Sequence, residues 1–432
     1  MNPISPTPLQ HATNHDLEQA AAENHHQLFS LNAISLGGKE VQGEGISWTY
    51  IGSTNDSAIL FPSLAPHNAG EQLDLIMDQY RQNPPSGAGY WSLYPPKPAD
   101  IGIRLLARGW QPGWKPCWMA KDMQLAQTDK IDIGELQILA DNYTPIHEIK
   151  ELPYAEDSAY MSNALLKKHP DRAQRFIAFR DKKIIGQCCL FFSTGPYGVA
   201  GMYNVGIIPE EQGKGIAKAI VLAACDHAYK KGYRYVMLNA NGQGRPVYEK
   251  AGFKFISYGI TWWLMGDGYI RNAPSPLLIR LAEAIGMGDI SALNEIAPSL
   301  TTKDLNTPMA NKMTWMQLAG HYRQIAAAEW LITHGVNCTA LDAWDFGWKE
   351  KAAALLAADP NETNRRYYDW GASLLHVAAE RGDTDLLRLA LTAGPDLLLK
   401  DFQHDGTPMD WAMFFKRTDQ IELLRNYMND NV

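Results

Sequence analysis

The chain has 432 residues, 46% of them hydrophobic and 20% charged, an ordinary globular composition with room for two to four domains. A formal net charge of −8 argues against nucleic acid or a membrane surface as the main partner, because both select a basic face. The cysteines number five, with no C-x-x-C pair, which argues against a disulfide framework or a structural zinc and fits a reducing, cytoplasmic setting.

Residues 1–26 are polar, with three prolines and four histidines, and are expected to form a flexible arm. They hold no basic run followed by an apolar core, and no apolar stretch in the chain reaches membrane-spanning length. From 27 to 126 strands and helices mix. Ser57–Phe61 reads as a strand ending in the turn Pro62–Pro66, and Glu71–Arg81 as an amphipathic helix with Leu73, Ile76, Met77 and Tyr80 on one side. Tyr90–Leu93 is a strand, Asp100–Arg108 a helix stopped by Gly109, and Lys115–Met123 a closing strand.

From 127 to 268 the order is clearer. Phe176–Phe179 and Ile184–Phe192 form a hairpin around Arg180–Lys183, followed by a strand over Val199–Ile207. Lys214–Lys231 carries Ile216, Ala217, Ile220, Val221 and Ala224 at helical spacing, and Gly232 ends it. Tyr235–Asn239 is a buried strand, Pro246–Ala251 a short helix, and Phe253–Leu264 a strand region. This order predicts an α/β unit with a mixed central sheet and a parallel pair at its centre. Residues 266–276 read as a linker. From 275 to 432 the strand signal vanishes and helix pairs punctuated by glycine take over.

The chemistry concentrates in Tyr203–Ala217. A strand leads through a turn and a glycine-rich loop into a long helix, so backbone N–H groups and the positive end of the helix dipole converge on one spot suited to a pyrophosphate. Gly213 and Gly215 let the backbone approach an anion, Ala217 keeps the first turn thin, and Lys214 and Lys218 add charge at the rim. A dinucleotide loop needs G-x-G-x-x-G and a downstream acid, and neither is present.

Gln212-x-x-Gly215-x-Ala217, the preceding Val205-Gly-Ile-Ile-Pro209 and the downstream Val247-Tyr-Glu-Lys-Ala-Gly-Phe253 together resemble the GNAT acetyltransferase superfamily. The resemblance implies acetyl-CoA as co-substrate, with no metal. It assigns the pyrophosphate to Gln212, Gly213, Lys214, Gly215, Ile216, Ala217 and Lys218, and the pantetheine arm to Val205, Gly206 and Ile207. Tyr248 stands at the family's acid, which returns a proton to the leaving thiolate; the same ring also fits a packed aromatic that only touches the sulfur. Asn239 and Asn241, past the parallel strand, fit either cofactor contacts or a plain turn. No base stands out: His147, Glu148, Glu156 and Asp157 occupy the acceptor-side segment, and Tyr203 with a water chain is equally admissible.

Leu105-Leu-Ala-Arg-Gly109-Trp110 aligns with Tyr248-Glu-Lys-Ala-Gly252-Phe253, so 27–126 is similar to a degenerate acetyltransferase half, its anion loop missing and its acid replaced by leucine. Trp91, Tyr94, Trp110, Trp114 and Trp118 would wall the acceptor cleft or, for most of them, simply fill the core. Farther on, Ser373-Leu-Leu-His376 and Thr407-Pro-Met-Asp410 stand 34 residues apart, and Thr314–Asn337 matches Ser373–Asp396. This period resembles ankyrin repeats, which implies an all-α solenoid with a protein partner and His376 bridging neighbouring repeats. The expected whole is a tandem pair of acetyltransferase units followed by the solenoid. It acetylates an amine of a small molecule, peptide or protein. The alternative is a non-catalytic acyl-CoA-binding or scaffold protein, including a bacterial effector acting on a host protein.

Overall fold

The computed structural model describes residues 8–125, 135–156, 161–368 and 370–430, and opens on a long helix, α1 (Asn14–Ser35). Thr13 and Asp16 form a reciprocal capping box at its start. Leu17, Ala20, Ala21, Asn24, His25, Leu28 and Phe29 are all buried. The flexible arm expected over 1–26 is therefore packed helix from residue 14 onward, and residues 1–7 lie outside the described residues. Polar composition misled because the inward amides have partners: Asn32 Oδ1 accepts from Ser162 N (3.0 Å) and Oγ (2.7 Å).

Among the described residues, twelve strands form one sheet. They are β1 (Lys39–Gly43), β2 (Ile46–Tyr50), β3 (Ser57–Leu60), β4 (Ala88–Leu93), β5 (Gln111–Pro112), β6 (Cys117–Asp122), β7 (Gln137–Ala140), β8 (Ala173–Arg180), β9 (Lys183–Phe192), β10 (Ala200–Ile207), β11 (Tyr235–Ala240) and β12 (Lys254–Leu264). The order is β1-β2-β3-β4-β12-β6-β11-β10-β9-β8-β7, with β5 beside β12. Further helices are α2 (Ala69–Gln82), α3 (Ile101–Ala107), α4 (Asn163–Lys168), α5 (Ile216–Lys230), α6 (Arg245–Lys250) and α7 (Gly266–Arg271). No helix among the described residues is long and apolar enough to cross a membrane.

Two strand–helix–strand crossovers repeat the same plan. α2 joins the parallel pair β3 and β4, and α5 joins the parallel pair β10 and β11. Each is followed by a short helix and a left-handed glycine, Gly109 (φ 90°) after α3 and Gly252 (φ 89°) after α6. The closing bonds correspond too: Trp110 N donates to Leu105 O (3.1 Å) and Phe253 N to Tyr248 O (3.0 Å). The β3–α2 loop, Phe61–Asn68, carries two prolines and so lacks the run of N–H groups that an anion needs.

The boundary placed at residue 126 is not a boundary in packing. β6, from the first half of the sequence, inserts between β11 and β12 of the second, with Met119 opposite both Leu238 and Phe255. Cys117 and Met119 join the core that α5 covers with Ile216, Ile220, Val221 and Ala224. β12 in turn pairs with β4. Residues up to 105 together with 110–273 make one compact unit, so the expected pair 27–126 and 127–268 shares one sheet rather than forming separate domains.

The second unit comprises 106–109 and 274 onward, and is helical. Its later helices pack in consecutive pairs, among them Ala340–Asp345 with Lys349–Ala358, Leu374–Arg381 with Thr384–Leu391, and Pro408–Phe414 with Thr418–Asp430. Thr314, Thr339, Ser373 and Thr407 each close a capping box. His376 is fully buried and bridges: its Nδ1 accepts from Ser373 N (3.1 Å), and its Nε2 donates to Gly406 O (3.0 Å). Asp401 anchors the last pair. Burial alone would raise its carboxyl, but the N–H groups of His404, Gly406 and Gln403 and the Trp411 indole outweigh that and hold it at about 2. A depressed carboxyl stabilises above its unfolded pKa, near ~3.9, and loses that contribution as pH falls through its folded value. Stability of this unit is therefore expected to fall between about pH 4 and pH 2. Asp401→Asn should flatten that limb of a urea-melt series run against pH; an unchanged limb would assign it to other carboxylates.

Candidate functional site

β10 and β11 run parallel only from Ala200↔Val236 to Met202↔Leu238. Beyond that point β11 continues on β6, while β10 bulges: its register against β9 shifts between Tyr203 and Gly206, and Asn204 takes a left-handed φ of 51°. A wedge opens between the two strands, bordered by Val205, Gly206 and Ile207. Gly206 is required there for a reason the sequence did not show. A Cβ on it would lie 2.5 Å from Pro153 O, and that carbonyl is fixed by Gln187 Nε2 (2.8 Å). The segment through Pro153 therefore lies across the bulge.

A single 3-10 turn, Pro209–Glu211, carries β10 into the loop. Gln212 Nε2 donates back to Ile207 O (3.1 Å), which sets the loop against the strand end. Gly213 (φ 76°) and Gly215 (φ 80°) are both left-handed, and a Cβ on either would meet nothing within 4 Å. Gly215 is the N-cap of α5 and has no capping side chain, so among the described residues no side chain caps the first-turn N–H groups of Ile216 and Ala217, which are left for another acceptor. Ile216 is buried in the core and pins the helix start. Uncapped amides, a fifteen-residue helix dipole and open space over two glycines fit a pyrophosphate. Lys214 Nζ pairs with Glu211 Oε1 (3.2 Å), and the other oxygen of that carboxylate meets Arg180.

Tyr248 lies on α6, half-buried against the α5-side core, with its ring edge-on to Phe253 (6.0 Å between centroids). Burial, then the neighbouring Cys188 and Tyr154, raise its pKa well above the ordinary phenol range. The phenol therefore stays protonated at working pH, and among the described residues none hydrogen-bonds its hydroxyl. That is the state an acid needs. Asn239 Oδ1 accepts from Cys117 N (3.1 Å), joining β11 to β6, so a cofactor contact from this residue would fall to its amide nitrogen. Asn241 Oδ1 accepts from Gly244 N (2.6 Å), a turn role.

The candidate bases are not brought to the wedge as a group. His147 and Glu148 are exposed and pair loosely with each other at 3.9 Å, Glu156 is exposed, and Asp157 lies outside the described residues. Tyr203 is not placed as a general base: its hydroxyl donates to Asn24 Oδ1 (2.7 Å), and burial raises its pKa. Of the aromatic wall, Trp91, Trp110 and Trp118 are buried core, whereas Tyr94 and Trp114 are exposed. Sequence reasoning missed Asn24 and His25, which touch Tyr203 from α1. The i, i+3, i+4 spacing of Leu17, Ala21, Asn24, Leu28 and Asn32 was the available signal.

The Acetyltransferase (GNAT) family model matches residues 136–253. Glucosamine 6-phosphate N-acetyltransferase from Trypanosoma brucei brucei is 26% identical over 138 residues, covering 29% of this chain and 92% of that protein. Mycothiol acetyltransferase from Saccharomonospora viridis is 34% identical over 67 residues, covering 15% of this chain and 22% of that protein. Among solved structures, a GCN5-related N-acetyltransferase from Kribbella flavida superposes with a TM-score of 0.44 at 10% identity, covering 58% of this chain and 98% of that one.

Proposed function

We propose, from the premise that residues 136–253 are a GNAT acetyltransferase domain, that this domain moves an acetyl group from acetyl-CoA to an amine of a small molecule, peptide or protein. The observation that carries the reading is the uncapped start of α5 beside two open left-handed glycines, together with a bulged strand and a half-buried Tyr248. Gln212–Lys218 would hold the pyrophosphate, and the bulge at Val205–Ile207 would meet the pantetheine arm and thioester. Acetyl-CoA supplies an activated acyl carbon when bound. The neutral amine attacks that carbon, the carbon–sulfur bond breaks as Tyr248 gives its proton to the departing sulfur, and the proton that the nitrogen sheds on becoming an amide passes through solvent to restore the Tyr248 phenol. Backbone N–H groups at the bulge face the charge that develops on the carbonyl oxygen. The test is CoA release from acetyl-CoA against a broad amine panel, with binding followed by calorimetry. Binding without CoA release would instead favour a non-catalytic acyl-CoA-binding protein.

Tyr248→Phe is expected to lower kcat by about 10²-fold while leaving the Kd for acetyl-CoA near that of the parent, the range general acid catalysis contributes. Full activity in that variant would remove Tyr248 from the mechanism and leave it as packing. The half of the sheet built on β3–α2–β4, with Leu105 where Tyr248 stands in the other, is read as the degenerate partner of a tandem pair. The helical unit is read as ankyrin-type repeats that select a protein partner, supported by the Ser373/Thr407 spacing and by the His376 bridge. Residues 275–432 as bait, recovering nothing above background from a candidate acceptor pool, would count against that reading.

A further inference from the structure

We propose that Asn24 and His25 of α1 are positioning residues for acyl transfer, pinning Tyr203 so that the bulge at Asn204–Gly206 faces the wedge between β10 and β11. This rests on the acetyltransferase reading. Both residues lie outside the segment matched by the family model.

The hydrogen-bond directions follow from the partners. The Asn24 nitrogen lies 3.2 Å from Phe191 O and 3.0 Å from both Val199 O and Ser193 Oγ. Carbonyl oxygens only accept, so the amide group facing them is NH₂ and its Oδ1 faces Tyr203. The Tyr203 hydroxyl therefore donates to Asn24 Oδ1 at 2.7 Å and has spent its one proton. His25 Nδ1 lies 3.2 Å from the Tyr203 hydroxyl oxygen, whose proton is already given to Asn24, and must be the donor, which selects the Nδ1–H tautomer. Around the imidazole stand Trp91, Phe29, Trp118 and Phe61, with centroids 4.7, 5.0, 5.3 and 6.0 Å away. Burial in this cage lowers the His25 pKa to about 3, so the ring stays neutral and the contact does not titrate away in ordinary buffers.

The pinned point coincides with the fork. Met202 is the last residue of β10 paired with β11, and Asn204 begins the bulge. Tyr203, between them, is held at its far end by two bonds from α1. The approach is close enough that a Cβ on Gly201 would lie 2.0 Å from Asn24 Oδ1, so the strand is bare where the helix docks. Loss of the pin frees the strand at the point where its N–H groups must meet a developing oxyanion. The pyrophosphate loop, on the far side of Ile207, is untouched.

The test measures kcat with the best acceptor of the amine panel, the acetyl-CoA Kd by calorimetry, and the melting temperature, for the full chain. Tyr203→Phe and His25→Leu are expected to lower kcat about ten-fold, less than the roughly 10²–10³-fold that outright removal of an oxyanion donor costs because the donor is displaced and not lost, with Kd changed by less than about two-fold. His25→Asn, whose amide NH₂ can replace Nδ1–H, should recover most of the rate. Unchanged kcat, a Kd loss matching the kcat loss, or no rescue by His25→Asn overturns the proposal. Nitrogen chemical shifts of the His25 ring in the unmodified chain must report the Nδ1–H tautomer, and the other tautomer overturns it whatever the variants do. An unmodified chain that turns over no amine defeats the acetyltransferase reading and this inference with it; an active chain with indifferent variants defeats this inference alone.

Discussion

Gly215→Glu is expected to abolish acetyl-CoA binding, weakening Kd by about a hundred-fold or more while leaving the fold intact. Two effects combine. Gly215 sits at φ 80°, where a Cβ costs about 1–2 kcal/mol. The site around it is open, so that strain is not compounded by a clash. The larger effect is charge. A carboxylate at the N-cap reaches the uncapped amides of the first turn of α5 and takes the place a phosphate would fill; two like charges about 4 Å apart repel by roughly 4 kcal/mol near a protein surface. Gly215→Ala separates the effects, since it carries the strain without the charge and should bind only modestly less well. Calorimetry with acetyl-CoA decides, with the melting temperature as control. A Glu variant that binds like the parent would move the pyrophosphate elsewhere.

The second large effect concerns how much chain the acetyltransferase fold requires. Residues 127–268 expressed alone are expected to give no cooperative unfolding transition, whereas residues 1–273 should unfold in one step. The shorter piece lacks β6, so β11 and β12 lose the strand that joins them. It also lacks Cys117 and Met119 from the α5-side core, and α1, whose Leu28 packs with Cys189 and Phe191 on the opposite face. Removing one large buried side chain costs about 2–5 kcal/mol, and whole domains are stable by only about 5–15 kcal/mol. Several such losses exceed the margin. Urea melts followed by circular dichroism provide the measurement, and a sigmoidal melt from 127–268 would contradict the shared sheet.

How far the sequence could be read depended on the range of the interaction. The turn at Gln212–Ala217, the helix over Lys214–Lys231 and the hairpin at Arg180–Lys183 were legible because glycine, charge and apolar spacing act within a few residues. The correspondence of Gly109–Trp110 with Gly252–Phe253 was legible for the same reason: a left-handed glycine after a short helix is a local device. Asn239 was placed correctly at the end of its strand, but its tie to β6 was not legible, since what a side chain meets depends on which strand lies alongside.

α1 shows the other limit. Its alanines, asparagines and histidines read as solvated because composition records polarity, not partners. In the folded chain Asn24 satisfies its amide against carbonyls of β9 and the β9–β10 turn some 170 residues away, and becomes core.

The sequence by itself determined the glycine turn before α5, the crossover plan and the helical character of the last third, because each is written in contacts between near neighbours. The tertiary structure alone decided that β6 belongs between β11 and β12, that Gly206 answers to Pro153, and that α1 holds Tyr203 at the fork. Strand alternation is the same whichever neighbour pairs with it, so long-range pairing and the burial it imposes leave no mark in local sequence.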